Sequence, residues 1–393
     1  MKNNIDEHKV IVIGEEHYTP LGVIRSLGEA GVNPIAYIKK NKRTKIASCS
    51  KYISELHMID DYEEAVNDII SQYGKEKYKP IVIPCDDIVV RCFDRRYDTV
   101  KDMFYVNNAG KTGRIALYQD KEKLYELARK CGLNVAQSWK VKKGEFPIDI
   151  RYPVITKPIE SYEGWKQDYF VCSSEDELRE AYKKIKGNTL LLQRYIKKKT
   201  EITLEGFSAK EGCEVLFAIK ARYTYVLPDY YSMSMIVSNS SDKQVENTLR
   251  KMFEEIKYEG IFEVEFMEDE NGELWFLEIN FRNSTWSYAS TKLGMNLPIL
   301  WSKSMLGEEL KKDVIKKIPE NYKAIAEVPD FEQRVRRFKM ISLKKWISEI
   351  KNADCLYFYN KNDMKPFISV WYYKLKSIMH KSMLKVVGKK EDK

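Results

Sequence analysis

The sequence predicts an α/β protein with a Rossmann-like domain first, a larger α+β part next and a helical, basic region last. Short apolar strands alternate with amphipathic helices over the first 115 residues, a pattern typical of βαβ units around a parallel sheet. Farther along, Gly260 to Arg282 have the pattern of a β-hairpin. A chain of 393 residues that is 44% hydrophobic has room for two or three domains. We expect these domains at 1–115, 116–310 and 311–393.

The predicted N-terminal domain rests on five segments. Apolar runs that end at glycine, proline or polar residues predict strands, and a 3.6-residue apolar period predicts helices. The first strand ends in Gly14-Glu-Glu-His without a G-x-G-x-x-G pattern, so no dinucleotide site is predicted there. The segments are strands at 9–13, 33–38 and 79–84 and helices at 21–30 and 61–73.

The middle of the chain opens with a helix that begins at Lys121. Asp120 is a suitable N-cap for this helix, and Gly132 ends it. A strand from Tyr152 ends in Lys157-Pro158, and a turn-rich loop at 160–165 follows, with backbone N–H groups that suit an anion. Further strands are predicted at 190–196, 201–207 and 214–222, and a helix at 247–256.

The hairpin predicts a pair of facing carboxylates. Asn271-Gly272 favours a two-residue type I′ turn, which makes opposed residue numbers sum to 543. Glu265 then lies opposite Glu278, and Glu263 lies opposite Asn280. The same face carries Ile261, Met267 and Phe276, whereas the opposite, core face carries Phe262, Val264, Phe266, Leu277 and Ile279.

Directly opposed carboxylates repel one another unless a cation lies between them. A hard cation with oxygen ligands, Mg²⁺ first and Mn²⁺ as the alternative, resolves this repulsion, with the Asn280 amide oxygen as a third ligand. The competing interpretation is a solvated acidic face on an edge hairpin, which the hairpin alone leaves open.

Composition excludes several other kinds of site. Four dispersed histidines argue against a histidine triad or a zinc hydrolase, and seven scattered cysteines argue for a reducing cytoplasm and against structural zinc. The net charge of +9 suits an anionic ligand such as a nucleotide, since no nucleic-acid motif accompanies it. No apolar run reaches the roughly 18 residues of a membrane span, and the first residues do not form a signal peptide.

Taken together, these pieces have the order and spacing of the ATP-grasp superfamily, which the chain resembles over roughly residues 5–310. The matching motifs are a lysine that opens a helix, a strand-end Lys-Pro, a phosphate-covering loop, a hinge strand and a Glu-x-Asn-x-Arg ending. Their positions here are Lys121, Lys157-Pro158, residues 160–165, Gln193-Arg194-Tyr195-Ile196, Glu201, Glu265, Glu278, Asn280 and Arg282. The resemblance implies a lid subdomain at about 140–200 and a metal-binding subdomain at about 201–310.

The resemblance also implies a role for each matched residue. Lys121 and Lys157 are expected to neutralise the phosphates of ATP, and the hinge residues Gln193 to Ile196 to hold adenine. Glu201 is expected to bind the ribose. Glu265, Glu278 and Asn280 would then hold Mg²⁺, while Arg282 steadies the transferred phosphoryl group. Lys220 or Arg222 is a further candidate for the triphosphate.

Within the superfamily the chain looks most like carboxylate–amine ligases of the D-aspartate ligase type, through Gly22 to Gly28 and Ser50-Lys-Tyr. It departs at Phe281, where the common ending has proline, and at Gln193, where many members have glutamate. The family reaction joins a carboxylate, such as aspartate, to an amine through an acyl phosphate. The alternatives are an enzyme acting on bicarbonate, as carbamoyl-phosphate synthases and biotin carboxylases do, and a non-catalytic nucleotide-binding protein.

The tail from Lys365 to Lys393 combines an apolar stripe with lysines. Trp371, Leu375, Ile378, Ser382 and Val386 fall at helical spacing, with the lysines largely off the stripe. Either this helix docks on the body of the protein, or it lies on the anionic inner face of a membrane. The expected partners are therefore small molecules and no nucleic acid, with a membrane surface or a second copy of the chain left open, in the cytoplasm.

Overall fold

Three sheets organise the chain. The computed structural model describes residues 4–41, 44–158, 168–227, 231–309 and 313–386, with side chains up to residue 376. A four-stranded parallel sheet comes first, a four-stranded antiparallel sheet second and a seven-stranded, mostly antiparallel sheet last. The predicted α/β class, with α+β character after the first domain, is confirmed.

The first sheet has the strand order β3-β2-β1-β4 with every pair parallel. Strand β3 was not predicted, because its residues are exposed or half-buried and carry no continuous apolar run. Helix α1 begins earlier than predicted, since the His17 side chain accepts a hydrogen bond from the Thr19 N–H and caps it. The elements are β1 (Val10–Glu15), α1 (Tyr18–Glu29), β2 (Ile35–Lys39), β3 (Glu55–Ile59), α2 (Tyr62–Tyr73), β4 (Ile81–Pro84), α3 (Asp87–Asp94), α4 (Tyr97–Val100) and α5 (Arg114–Gln119).

The second sheet, in the order β5-β8-β6-β7, packs against one helix around its own small core. Before it comes α6, where the Asp120 carboxylate caps the N–H groups of Glu122 and Lys123, as predicted. Gly132 ends α6 in the left-handed region at φ 103°, which a residue with a side chain rarely adopts. The elements are α6 (Lys121–Cys131), β5 (Ser138–Lys142), β6 (Val154–Lys157), β7 (Val171–Cys172), α7 (Glu175–Lys184) and β8 (Thr189–Arg194).

The third sheet runs β13-β12-β9-β10-β11-β14-β15, with the last pair parallel. The core side of the hairpin packs on α8 and α6, where Phe253, Phe262 and Phe266 are fully buried. Its elements are β9 (Lys198–Ala209), β10 (Glu214–Tyr223), β11 (Ser234–Ser238), α8 (Lys243–Ile256), β12 (Gly260–Asp269), β13 (Leu274–Asn280), α9 (Tyr288–Lys292), α10 (Leu297–Met305), β14 (Tyr322–Ile325), α11 (Glu327–Asp330), a π-helical turn (Phe331–Arg337), α12 (Leu343–Lys351), β15 (Cys355–Leu356) and α13 (Lys365–Val386).

The predicted helical character of residues 311–393 is wrong in part. Strands β14 and β15 complete the third sheet, so this region belongs to the body of the protein. Asp363 then binds the fully buried Arg25 of α1, with 2.9 Å from Arg25 Nε to Asp363 Oδ2. Arg25 also donates to the carbonyls of Tyr357 and Phe358. The division into three domains at 115 and 310 stays a prediction.

The hairpin has the predicted pairing at the site and a different turn. Asp269 and Glu273 flank a three-residue loop, because the Asp269 carboxylate accepts the N–H groups of Asn271 and Glu273 at 2.9 and 3.0 Å. This loop shifts the register by one residue, and a bulge at Leu277 shifts it back. Phe276 therefore lies in the core, while Leu277, placed there by the sequence argument, is only half-buried.

The first part of α13 docks on the body. Val370 is buried, and Trp371 contacts Phe331 and Phe367 edge to face. Leu375, which the predicted stripe places beside Trp371, is instead 57% exposed, so the docked face and the predicted stripe differ. Within the described residues, no helix has the length and apolar character to cross a membrane.

Candidate active site

A cleft of about 680 Å³ lies where the first sheet, α6 and the third sheet meet. It has two chemically different ends. We call one the lysine arm, which comprises Lys121 and Lys198 of the cleft wall and Lys157, whose pKa is affected by the charge of Lys121. We call the other the acidic arm, which comprises Glu15, Asp86, Asp87 and Glu263. Glu265 and Glu278 line the cleft, as do Glu201, Asn280 and Arg282. The cleft thus brings together residues that lie as much as 271 positions apart, from Glu15 to Trp286.

Glu265 and Glu278 are directly opposed on β12 and β13, as the hairpin predicted. Burial, then the charges of Glu278 and Glu263, raise the pKa of Glu265 well above its usual value. Such a pair fits a divalent cation, which removes the repulsion between the two carboxylates. Two glutamates with substrate oxygens would suffice, and among the described residues no group of three His, Cys, Asp or Glu side chains has a metal-binding arrangement.

Asn280 faces the carboxylates with its nitrogen. Its Nδ2 donates to Glu263 Oε2 at 3.0 Å and to Glu265 Oε1 at 2.9 Å, while its Oδ1 accepts from Arg282 at 3.3 Å. The predicted role of the Asn280 oxygen as a metal ligand therefore requires the amide to turn over. In this arrangement the amide links Glu263 and Glu265 to Arg282.

Arg282 points toward the first sheet. Its Nε lies 3.0 Å from Asp87 Oδ2 at the start of α3. Despite burial, the charges of Asp87 and Glu263 raise the pKa of Arg282 further. Arg282 thus forms an ion pair across the cleft, and its contact with the transferred phosphoryl group stays a prediction. Arg222, the further candidate, pairs with Glu268.

The lysine arm brings the two predicted phosphate lysines together. Lys157 Nζ donates to Gln193 Oε1 at 2.6 Å, and the contact of Gln193 with adenine stays a prediction. Burial and the charge of Lys121 lower the pKa of Lys157 to about 7. Burial also opposes the charge on Lys121, but Glu278, Tyr169, Tyr125 and Glu265 outweigh it and raise its pKa. A polyphosphate would restore the charge of Lys157.

The hinge between β8 and β9 provides the other predicted nucleotide contacts. Arg194 is exposed, and Tyr195 and Ile196 are half-buried. The Tyr195 N–H donates to the Pro153 carbonyl at 2.9 Å, so it is already used. Glu201, expected to bind ribose, forms an ion pair with Lys198. The predicted phosphate-covering loop, residues 160–165, lies outside the described residues.

Sequence reasoning did not find the acidic arm. Glu15 is the last residue of β1, and Asp86 and Asp87 follow β4, the strand that lies beside β1 in the first sheet. Ligands of open parallel sheets bind beyond the carboxyl ends of the strands, which is the signal that could have identified these residues. The nearby His17 stays neutral, because burial and Arg282 lower its pKa to about 4.

Comparisons with known proteins agree with this geometry. Residues 126–285 match the family model described as the ATP-grasp domain. Among solved structures, an N5-carboxyaminoimidazole synthetase from Staphylococcus aureus is 17% identical with a TM-score of 0.61, over 85% of this chain and 86% of that one. An L-amino acid ligase from Bacillus licheniformis is 12% identical with a TM-score of 0.59, over 79% and 78% of the two chains.

A biotin carboxylase from Campylobacter jejuni, solved with an ATP analogue, is 18% identical with a TM-score of 0.60, over 80% of this chain and 75% of that one. At these identities the likeness concerns the fold. No curated protein sequence matches the chain.

Proposed function

We propose that this chain, whose residues 126–285 match the ATP-grasp domain model, is an ATP-dependent carboxylate–amine ligase. A carboxylate oxygen attacks the γ-phosphorus of ATP, ADP leaves, and an acyl phosphate remains. An amine nitrogen then attacks the acyl carbon, the bond to phosphate oxygen breaks with its electron pair, and the amine loses a proton. The products are an amide, ADP and phosphate.

The observation that carries this proposal is that lysines and opposed carboxylates share one cleft. The charge of Lys121 lowers the pKa of Lys157, so the two amines lie close enough to repel each other when both are protonated. Both become favourable beside a triphosphate, since buried like charges otherwise repel. Glu265 and Glu278 would hold Mg²⁺, which supplies charge neutralisation between nucleotide phosphates when bound.

The chain's own residues orient and neutralise rather than attack. Lys121 and Lys157 would bind phosphate oxygens from the α6 and β6 sides, with Gln193 holding Lys157 in place. Arg282, fixed by Asp87 and Asn280, would meet the anionic intermediate. Catalysis of this kind depends on positioning, and no nucleophilic side chain takes part.

The test is release of ADP and phosphate by the full-length protein with ATP and Mg²⁺, screened over carboxylates and amines. We propose aspartate among the first carboxylates, by analogy with the D-aspartate ligase type. Hydrolysis that rises only when a carboxylate and an amine are both present supports the ligase. Hydrolysis that never depends on either substrate would refute it.

The bicarbonate reaction is the competing proposal, since biotin carboxylase is among the similar folds. The same assay separates the two, with bicarbonate removed by degassing and then added back. Turnover that requires bicarbonate in the absence of any organic carboxylate favours the rival. A protein that binds ATP without turnover under every combination would instead be a nucleotide-binding protein.

We further propose that the ligase acts in the cytoplasm, where its α13 tail contacts an anionic membrane surface, and that it forms a homodimer. The lysines of the tail are the basis for the first part of this proposal. Light scattering of the full-length chain tests the second, because a monomer at micromolar concentration excludes a stable dimer.

A further inference from the structure

The acidic arm has more negative charge than its own partners neutralise. Asp86 caps α3 through the Ile88 N–H at 2.8 Å, and Asp87 is paired with Arg282. Glu15 and Glu263 remain, and Glu263 is 5% exposed. The one hydrogen bond described for its carboxylate comes from the Asn280 amide at 3.0 Å, a neutral donor. Glu263 and Asp87 share the charge of Arg282, and a buried carboxylate without a counter-charge of its own is costly, which makes a cationic ligand favourable.

A second carboxyl group with unused acceptor capacity lies beside Glu263. Glu205 of β9 is directly opposite Glu263 of β12, so the two side chains share a face of the third sheet. Glu205 is fully buried, and neither of its oxygens has a hydrogen-bond partner within 3.5 Å among the described residues, although the Ser284 hydroxyl partly stabilises its charge. Glu205 therefore lies next to Glu263, which lines the cleft, and adds a second carboxyl group without a cation of its own to this face of the sheet.

Aromatic rings line the same end of the cleft. Trp286 lies with its ring centroid 6.4 Å from that of Tyr18 and 6.2 Å from that of Tyr223. All three line the cleft and are less than a tenth exposed. Aromatic rings next to a carboxylate are the usual surroundings of a bound ammonium group.

The acidic arm is a much less favourable environment for a carboxylate than for an ammonium group. Its cation among the described cleft residues is Arg282, which Asp87 and Asn280 already hold at 3.0 and 3.3 Å. His17 is neutral. A ligand with a carboxylate next to its amine would therefore face Glu15 and Glu263 with its own negative charge.

We propose that the acidic arm is the subsite for the amine substrate, and that this substrate is a primary alkyl amine without a carboxylate near its nitrogen. The ammonium group binds Glu263, with Tyr18 and Trp286 around its alkyl chain. This inference rests on the proposed ligase function, and it adds the chemical class of the second substrate. Glu263 is a binding residue here, separate from the metal carboxylates Glu265 and Glu278.

The test measures binding rather than turnover. Saturation-transfer NMR titrations of the full-length protein, with Mg²⁺ and a non-hydrolysable ATP analogue, compare 1,4-diaminobutane with 4-aminobutanoate. The two probes have the same chain length and differ in the second end group. We expect the diamine to bind at least ~10-fold more tightly, the size of one partly buried charged contact. Equal binding, or tighter binding of 4-aminobutanoate, overturns the inference.

Glu263→Gln should weaken diamine binding at least ~10-fold and leave the affinity for the ATP analogue with Mg²⁺ unchanged. Glu273→Gln is the matched control, since Glu273 lies on the exposed hairpin loop. If Glu263→Gln weakens nucleotide binding as Glu278→Gln does, Glu263 is a metal ligand and the inference fails. Should Glu263→Gln fold poorly, Glu15→Gln at the exposed mouth of the arm must weaken the diamine alone, or the inference fails.

Failure of the proposed ligase has a different signature. It appears either as no binding of the ATP analogue by the unmodified protein, before any amine is added, or as ATP turnover that is absent or depends on neither substrate. Wild-type protein that binds the nucleotide and ignores both amines keeps the ATP-grasp assignment and rejects the amine subsite.

Discussion

The two arms of the cleft balance their charges in different ways. In the lysine arm each cation faces a protein partner of the opposite sign or a neutral acceptor, as Lys198 faces Glu201 and Lys157 faces Gln193. In the acidic arm Asp87 and Glu263 share one counter-charge, that of Arg282. The lysine arm also lies within residues 121–201, whereas the acidic arm needs side chains from β1, β4 and β12. The lysine arm is thus formed by residues that lie close together in the sequence, whereas the acidic arm exists only because the sheets bring distant residues together.

The largest expected effect on this comparison comes from weakening the ion pair that holds α1 on the body of the protein. Asp363→Asn removes the charge that pairs with the fully buried Arg25, which leaves a buried cation uncompensated. We expect a loss of about 3 to 5 kcal/mol in the free energy of unfolding, measured by urea denaturation. Asp60→Asn, at an exposed ion pair with Lys40, is the control and should cost less than about 1 kcal/mol.

Because Glu15 and His17 precede α1, Asp363→Asn should also weaken diamine binding more than nucleotide binding. Equal stability of Asp363→Asn and Asp60→Asn would mean that the buried pair does not hold the first sheet in place.

Removing one metal carboxylate comes next in size. Glu278→Gln should reduce turnover by at least ~10²-fold, because one ligand charge is lost where Mg²⁺ meets the phosphates. Circular dichroism and the melting temperature should stay close to those of the unmodified protein. Near-normal activity in a well-folded Glu278→Gln protein would contradict the metal assignment of Glu265 and Glu278.

The lysine arm should take up a proton when nucleotide binds. The pKa of Lys157 in the free protein is about 7, well below its usual 10.5, so the amine is largely neutral at pH 8.5. Phosphates favour the charged form, so binding at pH 8.5 should take up about one proton from this group. Calorimetry in buffers of different ionisation enthalpy measures this number.

Lys157→Met should lower the uptake by about one proton at pH 8.5 and remove the decline in affinity as pH rises above 7. The stability of the free wild-type protein should also depend on pH through Lys157. Between pH 7 and 10.5 the unfolded chain holds a proton that the folded chain lacks, so the contribution of Lys157 makes stability rise with pH. An unchanged proton count in Lys157→Met would show that another group titrates.

The sequence predicted the parts of the site that depend on local patterns. Alternation along β12 and β13 placed Glu265 opposite Glu278, because side chains on paired strands have a fixed period of two. The turn was wrong, since the Asp269 side chain competes for two backbone N–H groups and makes a three-residue loop. The bulge at Leu277 cancelled that error at the site and left it visible at Phe276.

The acidic arm and the C-terminal strands could not be predicted in the same way. Glu15, Asp86 and Glu263 share no spacing, and only the strand order brings them together. Strand β15 has two residues, Cys355 and Leu356, too few for a period to appear. The buried partner of Arg25 is 338 residues away, and a charged residue in an amphipathic helix gives no sign that it is buried.

The smallest expected effect concerns α13, whose described part has a docked side and an exposed side. Near its start, Val370 and Trp371 pack on the body and Lys374 pairs with Glu332 at 2.7 Å. Tyr372 and Leu375 are 59% and 57% exposed, next to lysines, which favours a surface for anionic lipid. Because Asp363 holds Arg25, a truncation that tests the tail must end after Lys376 rather than at Asp363.

This truncation removes five lysines, at 381, 385, 389, 390 and 393, each worth about 1 kcal/mol near an anionic surface. We expect it to abolish sedimentation with phosphatidylserine liposomes at low salt and to change the melting temperature by less than about 2 °C, since every docked side chain that the structure describes is kept. Trp371→Ala is the converse control, because it should lower the melting temperature and leave sedimentation intact. Full-length protein that ignores anionic liposomes at low salt would rule out the membrane contact, and a large fall in melting temperature on truncation would show that the rest of the helix also docks.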